Sequence, residues 1–423
     1  MSATTPTGIP VEPRSAVLRT LFARGYIHQA THLAGLDEAF AAGIVPTYAG
    51  FDATADSLHV GHMLPIMALR RLQQAGHKPI VLIGGGTSRI GDPSFRSEVR
   101  PMLSAEQIAS NIAGIRTIFG RLLTFGDGPT DAVMVDNADW LGDLRWIEML
   151  RDIGRHFSVN RMLSFDSVKA RLDRQETLSF LEFNYMILQA YDFLELSRRL
   201  GVRLQMGGAD QWGNIINGIE LTRRTTGEAV FGLTVPLLTT ASGAKMGKTA
   251  AGAVWLNAER LSPFDYWQFW RNVEEADVGR FLTLFTDLPL DEIEDLAARQ
   301  GAALNAAKER LADEATALAH GAHAARQAAE TAGQAFGRGA AAEGLPVVTV
   351  TRTELASGIP LVDLIVRAGL ARSKAEARRA IAGRGVRLDG ALVTDATRVC
   401  HAQPAPERLS HGRKRHVIVS VMD

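Results

Sequence analysis

The first two thirds of the chain alternate short apolar runs with amphipathic segments. Residues 47–54 and 79–86 each contain an apolar run that predicts a buried strand, and residues 61–76 between them have helical spacing. Further strands are predicted at 132–137 and 203–208, each close to a helical pattern. Because strands alternate with helices, we expect an α/β fold with a mainly parallel sheet, which binds its ligands beyond the carboxyl ends of the strands.

Three further segments follow this α/β region, which is predicted to span residues 1–262. The pattern becomes helical and rich in alanine over 263–336, which predicts a separate α-helical domain. Residues 337–346 (GRGAAAEGLP) are rich in Gly and Ala and predict a linker. Residues 347–423 contain two helical segments followed by a strand and a turn, which predicts a small α+β domain.

The charge of the chain is unevenly distributed. The 423 residues have no net charge, with 46 basic and 46 acidic side chains. Residues 346–423 contain 13 Lys or Arg against 7 Asp or Glu, so this tail has a net charge of +6 and the rest of the chain −6. A basic terminal domain on an acidic body is typical of proteins that bind nucleic acid, and a solvated basic surface is an equal alternative.

The cysteine content and the apolar runs indicate the cellular compartment. Cys400 is the only cysteine, which excludes an intramolecular disulfide and a zinc site built from cysteines. The apolar runs are far shorter than the roughly 20 residues that span a bilayer, and the N-terminus lacks the pattern of a secretion signal. We therefore expect a cytoplasmic protein with no membrane partner.

Two short motifs carry candidate chemistry. His59 and His62 belong to an HVGH motif, which places two imidazoles within one helical turn. Lys245 and Lys248 belong to a KMGKT motif on a predicted loop. Cationic donors of this kind suit a polyphosphate whose charge is redistributed during a reaction. Taken alone, the second motif is more often a solvated lysine-rich turn.

Two glycine-rich segments carry acidic side chains. The run 84–94 (GGGTSRIGDPS) has Asp92 where a phosphate-binding loop needs lysine. Because a carboxylate repels phosphate, we expect Asp92 to hold an ammonium group, with a helix cap or turn as the alternative. Asp210 and Gln211 follow another predicted strand beside glycines, where they suit a ribose or a carboxyl-bearing substrate. Turn chemistry explains these two residues nearly as well.

The predicted helix 180–196 is apolar on most sides yet carries three polar residues. Tyr185, Gln189 and Asp192 follow one another at spacings of four and three, which places them on one helical face. Asp192 has no Lys or Arg three or four residues away, so if it is buried it needs a distant donor or a ligand hydroxyl. We favour the ligand hydroxyl; the alternative is an Asp paired within the fold or exposed near the helix end.

The basic tail contains a helix that begins at a Ser-Lys pair and carries several arginines. The side chains expected to meet phosphates of a nucleic acid are Arg372, Ser373, Lys374, Arg378 and Arg379. A solvated helix face is the alternative.

These segments together resemble the bacterial tyrosyl-tRNA synthetases, a family of class I aminoacyl-tRNA synthetases, over nearly the whole chain. The resemblance rests on YAGFDATADSLHVGH (48–62), GDPS (91–94), FNYMILQAYDF (183–193), GGADQWGN (207–214) and KMGKT (245–249), in the family's order and at its approximate spacing. It implies a Rossmann-like catalytic domain with an inserted dimerisation segment at about 100–199, then an anticodon-side helical domain and an S4-like RNA-binding domain.

The resemblance also implies a reaction and its partners. The expected substrates are L-tyrosine, ATP and tRNA(Tyr): tyrosine is activated to tyrosyl-adenylate with release of pyrophosphate, and is then transferred to the 3′ end of the tRNA. Mg²⁺ is expected only as the companion of ATP, with no metal held by the protein. A homodimer is expected.

By the family pattern, each motif residue has an implied role. The residues implied to act on the phosphates are Thr54, His59, His62, Lys245 and Lys248. Those implied to bind tyrosine are Tyr48 and Asp192 at the phenolic hydroxyl, Asp92, Tyr185 and Gln189 at the α-amino group, and Gln211. Those implied to line the nucleotide side of the cleft are Gly50, Asp52, Gly208 and Asp210.

Two rival hypotheses remain at the level of sequence. A tryptophanyl-tRNA synthetase shares the fold and both motifs, but Tyr48 with Asp192 suits a phenolic hydroxyl, whereas an indole N–H donates from a different place. A non-catalytic RNA-binding protein on the same scaffold is opposed by the presence of both histidines and both lysines of the motifs.

Overall fold

A computed structural model describes residues 13–93, 102–243, 246–249, 252–336, 346–401, 407–412 and 415–422. The central sheet contains β1 (Gln29–Ala30), β2 (Thr47–Asp52), β3 (Pro79–Gly84), β4 (Val133–Asp136), β5 (Leu204–Gly208) and β6 (Phe231–Val235). Its order is β1-β6-β5-β2-β3-β4; β1 is antiparallel to β6, and the other pairs are parallel. The predicted α/β fold with a mainly parallel sheet is confirmed.

The helices of this region include those that cover both faces of the sheet. They are α1 (Ala16–Ala23), α2 (Leu33–Ala42), α3 (Val60–Gln74), α4 (Ala105–Leu122), α5 (Ala138–Leu141), α6 (Trp146–Glu148), α7 (Val159–Leu163), α8 (Asp166–Asp173), α9 (Phe180–Leu200) and α10 (Trp212–Thr226). Strand β3 is buried at every position, as expected for a strand that is covered on both faces. Along β2 the side chains alternate: Ala49 and Phe51 join the main core, whereas Tyr48 packs on the opposite face with Phe193 of α9.

The helical region follows a short hairpin of β7 (Lys248–Thr249) and β8 (Gly252–Ala253). It consists of α11 (Pro263–Arg271), α12 (Val278–Phe285), α13 (Leu290–Ala297), α14 (Ala302–His320) and α15 (Ala322–Phe336). Gly321, with φ of 90°, separates α14 from α15. The buried side chains of these helices belong to the same hydrophobic core as those of α1 to α4, so a separate domain beginning at residue 263 stays a prediction.

The tail forms its own small α+β unit. Its elements are β9 (Val347–Thr351), α16 (Arg352–Ser357), β10 (Ile359–Pro360), α17 (Leu361–Arg367), α18 (Lys374–Ala382), β11 (Val386–Leu388), β12 (Ala391–Leu392), β13 (Val399–Cys400), β14 (Glu407–His411) and β15 (Arg415–Met422). A five-stranded sheet of order β12-β11-β14-β15-β9 and the helices share a second hydrophobic core. Across the residues that the structure describes, no helix combines the length and apolarity needed to cross a membrane.

Candidate active site

A cavity of about 370 Å³ opens at the carboxyl ends of the parallel strands. The predicted site residues that line it are Tyr48, Gly50, Asp52, His59, His62, Asp92, Tyr185, Gln189, Asp192, Gly208, Asp210 and Gln211. The structure therefore brings together side chains that are more than 160 positions apart in the sequence, at the edge of the sheet where parallel strands present their ligands.

Three predicted residues are not placed in the cavity. Thr54 is exposed in the loop after β2 and is not among the lining residues. Lys245 lies outside the described residues, and for Lys248 the structure describes the backbone, which begins β7. Met246 between them lines the cavity and donates its backbone N–H to the carbonyl of Leu238 at 2.9 Å, so the KMGKT motif reaches the cavity wall.

The two histidines stand at the N-terminus of α3. His59 is the N-cap, and its Nδ1 accepts the backbone N–H of Gly61 at 3.0 Å; His62 Nδ1 accepts the backbone N–H of His59 at 3.2 Å. A neutral imidazole that accepts at Nδ1 carries its proton at Nε2. Both rings therefore carry an Nε2–H donor at a helix N-terminus, where the helix dipole adds positive potential. This end of the cavity suits an anionic ligand.

Another part of the cavity is built around a buried carboxyl group. Asp192 is 2% exposed; its Oδ1 accepts from Trp140 Nε1 at 2.8 Å and its Oδ2 from Asn137 Nδ2 at 3.0 Å. Burial raises the pKa of Asp192 to about 8 despite these two bonds. The fold thus supplies the distant donors that the sequence requires. Asp192 is paired within the fold, which was the alternative prediction, and does not depend on the ligand hydroxyl that the sequence favours. A carboxylate has about four acceptor positions, so Asp192 can also accept a hydrogen bond from a ligand hydroxyl.

The Tyr48 hydroxyl interacts electrostatically with this carboxyl group and, like Gln205 Oε1, is a cavity-lining polar atom that lacks a partner among the described residues. It is fully buried and has no hydrogen-bond partner within the described part of the chain. Burial, and then the charge of Asp192, raise the pKa of Tyr48 well above its usual value. Because an unsatisfied buried hydroxyl costs roughly 1–3 kcal/mol, a ligand that pairs with it recovers that free energy.

Acceptors for a cation collect in the middle of the cavity. The Tyr185 hydroxyl donates to Asp52 Oδ2 at 3.0 Å, and Asp52 Oδ1 accepts from Thr87 Oγ1 at 2.8 Å. Burial, followed by the charges of Asp52 and Asp92, raises the pKa of Tyr185 well above its usual value. The Tyr185 oxygen therefore stays protonated and lies among carboxylates, which suits an ammonium group.

A glutamine links two further carboxylates. Gln211 Nε2 donates to Asp92 Oδ2 at 2.8 Å and to Asp210 Oδ2 at 3.2 Å. A Cβ at position 208 would lie 2.4 Å from Asp210 Oδ1, so any larger residue there would move the Asp210 carboxylate. At Gly50 a Cβ would meet Leu82 at an ordinary 3.9 Å, so that glycine contributes space to the cavity. In the described part of the chain, no group of three or more His, Cys, Asp or Glu could hold a metal ion.

Sequence reasoning missed part of this site. Asn137 was predicted only as the last residue of a strand, with no assigned role, and Trp140 and Thr87 were not singled out. A spacing of three from Asn137 to Trp140 within one short helical segment is the signal that could have found the tryptophan. Residues 235–238, which form one wall of the cavity, were missed together with strand β6.

The predicted RNA-binding residues of the tail differ in their surroundings. Ser373 is the N-cap of α18, where its hydroxyl accepts the Glu376 N–H at 3.2 Å, and Lys374 pairs with Asp363 at 2.8 Å. The exposed arginines are Arg372, Arg378 and Arg379. A role of these residues in RNA binding stays a prediction.

Comparisons with known proteins agree with this site. The family model described as tRNA synthetases class I (W and Y) matches residues 44–337, and an S4 domain model matches residues 359–402. The tyrosine–tRNA ligase of Zymomonas mobilis subsp. mobilis is 61% identical over 96% of this chain and 98% of its own. That of Dinoroseobacter shibae is 58% identical over 97% of this chain and 99% of its own.

Solved structures show the same relationship. The C-terminally truncated mitochondrial tyrosyl-tRNA synthetase of Aspergillus nidulans has a TM-score of 0.69 at 30% identity, covering 76% of this chain and 94% of its own. A tryptophanyl-tRNA synthetase from Encephalitozoon cuniculi, at 14% identity and a TM-score of 0.53 over 73% of this chain and 87% of its own, shares the fold. The identities above 55% over almost the full length decide between the two groups: the chain belongs to the class I aminoacyl-tRNA synthetases and, within them, to the tyrosine–tRNA ligase family.

Proposed function

We propose that this protein activates L-tyrosine with ATP and transfers it to the 3′ end of tRNA(Tyr). A carboxylate oxygen of tyrosine attacks the α-phosphorus of ATP, the bond from that phosphorus to the oxygen bridging to the β-phosphate breaks, and pyrophosphate leaves. A ribose hydroxyl at the 3′ end of the tRNA then attacks the carbonyl carbon of tyrosyl-adenylate, and AMP leaves.

The observation that carries this proposal is the unpartnered Tyr48 hydroxyl beside Asp192 at the floor of the cavity. The phenolic group of tyrosine donates to Asp192 and accepts from Tyr48, which satisfies both. Phenylalanine fills the same space and leaves these polar atoms unpaired, so it loses the roughly 1–3 kcal/mol that each such atom costs. The indole N–H of tryptophan cannot accept a hydrogen bond from Tyr48.

The remaining predicted residues hold the reacting groups. Asp92, the Tyr185 oxygen and Gln189 accept from the α-ammonium group, and Asp210 accepts from a ribose hydroxyl. The tyrosine carboxylate is already ionised at pH 7, so no general base is required. Positioning and stabilisation of charge therefore dominate the barrier.

Charge on the departing pyrophosphate is stabilised by the basic end of the site. His59 and His62 carry Nε2–H donors there, and we assign the same role to Thr54, Lys245 and Lys248. Mg²⁺ enters with ATP, held by phosphate oxygens and water, as is usual for this cation. A cytoplasmic location, where ATP and tRNA are available, belongs to the same proposal.

Replacing the unpartnered hydroxyl tests the assignment of the substrate. Tyr48→Phe should weaken tyrosine binding roughly 5- to 30-fold, the equivalent of about 1–2 kcal/mol, and leave phenylalanine binding unchanged or slightly improved. Calorimetric titration of both amino acids measures the two affinities. An equal loss for both would show that the hydroxyl only shapes the cavity and does not recognise the phenol.

We further propose a homodimer that pairs through the inserted segment. Trp146, Ile147, Val159 and Phe180 are 51%, 71%, 59% and 68% exposed, and the rings of Trp146 and Phe180 lie 6.2 Å apart. Apolar side chains that are exposed to this extent are stabilised when they are buried from water. The same surface of a second copy would bury them in an isologous interface. Light scattering at micromolar concentration should give the dimer mass, and Trp146→Glu with Phe180→Asp should give a monomer. A monomeric parent would contradict the proposal.

A further inference from the structure

One wall of the cavity is tied to the helical region through a buried carboxylate that the proposed reaction does not use. Asp277, directly before α12, is 1% exposed. Its Oδ2 accepts the backbone N–H of Ala241 at 2.8 Å, and its Oδ1 accepts from the Arg280 guanidinium at 2.5 Å. Arg280 also donates to the backbone carbonyl of Thr239. We refer to Asp277 and Arg280 as the clamp.

The clamp holds the segment that joins the cavity wall to the KMGKT motif. Residues 235–238 line the cavity and are followed at once by the clamped residues 239–241. Ser242 adds a third attachment, because its hydroxyl donates to Glu274 Oε1 at 2.8 Å. The carbonyl of Leu238 accepts the backbone N–H of Met246 at 2.9 Å, which closes the base of this segment beside the cavity.

The far side of the same segment is tied to the helix that carries the histidines. Val254 donates its N–H to the carbonyl of Gly247 at 3.0 Å, and the Val254 carbonyl accepts the N–H of Val60 at 2.9 Å. Val60 is the first residue of α3. The chain is therefore held on one side of the KMGKT motif by the clamp and on the other side by the HVGH segment, so loss of the clamp removes one of these two attachments.

A second acidic residue of the helical region provides a comparison. Asp287 reaches the catalytic region as well, where it pairs with Arg70 and Arg71 of α3 at 2.5 Å each. It supports the packing of α3 and has no contact with residues 235–242. Asp277 and Asp287 both join the helical region to the catalytic region. They differ because Asp277 and Arg280 bind backbone groups of residues 239–241, whereas Asp287 binds side chains of α3.

We propose that Asp277 and Arg280 are positioning residues for tyrosine activation, which they support by fixing the wall beside the phosphate end of the site. The inference rests on the proposed function. It deepens that function, because it assigns part of the activation rate to residues that do not touch either substrate. A displacement of about 1 Å at a reacting group can cost on the order of a hundredfold in rate.

The test measures the single-turnover rate of tyrosyl-adenylate formation by the full-length protein. Clamp variants are compared in the parent sequence and in the Lys248→Ala background. Asp277→Asn and Arg280→Ala should each slow adenylate formation roughly 10- to 100-fold, while the Kd for tyrosine stays within about twofold. In the Lys248→Ala background, Arg280→Ala should cost less than about twofold, because a group that the clamp positions is already gone. Asp287→Asn should lower the melting temperature and leave the rate within about twofold of the parent.

Two outcomes would contradict the positioning role of Asp277 and Arg280. Arg280→Ala could cost the same factor in both backgrounds, or Asp287→Asn could slow the reaction as much as Asp277→Asn does. Because the Arg280 side chain is 41% exposed, its replacement leaves no cavity in the core; we expect the variant to fold even if Asp277→Asn does not, and its melting temperature checks this. If the parent forms adenylate and the clamp variants form it at the parent's rate, only the positioning role is refuted. If the parent forms no adenylate, the proposed function is refuted as well.

Discussion

Asp192 is a carboxyl group that remains largely protonated at pH 7 in the free protein, because burial raises its pKa to about 8. The bonds from Asn137 and Trp140 act in the opposite direction and are outweighed. Since the folded pKa lies above the usual value of 3.8, the stability contributed by the neutral form is fully present below pH 3.8. It is lost as the pH rises through about 8. The free energy of unfolding should therefore fall over this range, and Asp192→Asn should flatten that fall.

Tyrosine binding should release protons at pH 7. A phenolic O–H that donates to Asp192 stabilises the carboxylate, so the pKa falls on binding and the proton leaves. Calorimetry in two buffers with different ionisation enthalpies measures the release, and Asp192→Asn, titrated at higher tyrosine concentration, is the control. Proton uptake by the parent, or an equal release by the variant, would contradict this assignment.

At the scale of single residues, the sequence predicted the groups that lie within recognisable motifs. It did not predict Trp140 as a partner of Asp192, because the two are 52 positions apart and no local spacing reports such a contact. The Tyr48 hydroxyl could be placed by family resemblance, but its lack of a partner follows only from how β2 and α9 pack.

The helix α3 connects the cavity to the helical region. His59 caps its first turn, and Arg70 and Arg71 in its last turns pair with Asp287. His59 caps the helix through Nδ1 and lines the cavity, so capping and the proposed role of its Nε2–H group in the reaction are separable.

The two functions of His59 can be separated by substitution. His59→Ala removes the cap and should cost roughly 0.5–2 kcal/mol in the free energy of unfolding, whereas His59→Asn keeps a capping acceptor and should restore it. Both variants should slow adenylate formation with little loss of tyrosine affinity, because the imidazole acts mainly on the transition state. Denaturant unfolding and single-turnover kinetics give the two values. Parent-like rates in His59→Asn would limit His59 to capping.

At the scale of elements, β2 to β5 were predicted from apolar runs and β6 was not. Gly232, the second residue of β6, weakens a strand pattern. The structure shows why it is there: a Cβ at this position would lie 2.4 Å from Ile215 of α10. Glycine at this position therefore makes space for a side chain of α10, and a local sequence pattern carries no information about such a tertiary contact.

The molecule as a whole consists of a body, whose main core is shared by α1 to α4 and the helical region, and a basic tail with its own core. The sequence predicted the tail from its charge and from the preceding Gly- and Ala-rich stretch. It did not predict that the helical region shares its core with α1 to α4, because helical periodicity shows which face of a helix is apolar and not what covers that face.

Removal of residues 347–423 should separate the two steps of the reaction. The body keeps its complete cavity, so tyrosine activation should be unchanged. Charging of tRNA should weaken, and its salt dependence should become shallower, because the tail's contacts with phosphates are lost. Initial rates of aminoacylation at several salt concentrations test this. Unchanged charging by the truncated protein would remove the tail from the mechanism.

The most direct test of the account is amino-acid-dependent exchange of pyrophosphate into ATP by the purified full-length protein with Mg²⁺. Tyrosine, phenylalanine and tryptophan are compared at equal concentration. We expect exchange with tyrosine and none above background with the other two, because only the phenol satisfies both Tyr48 and Asp192. Exchange that favours tryptophan, or none with any of the three from a folded protein, would contradict the account.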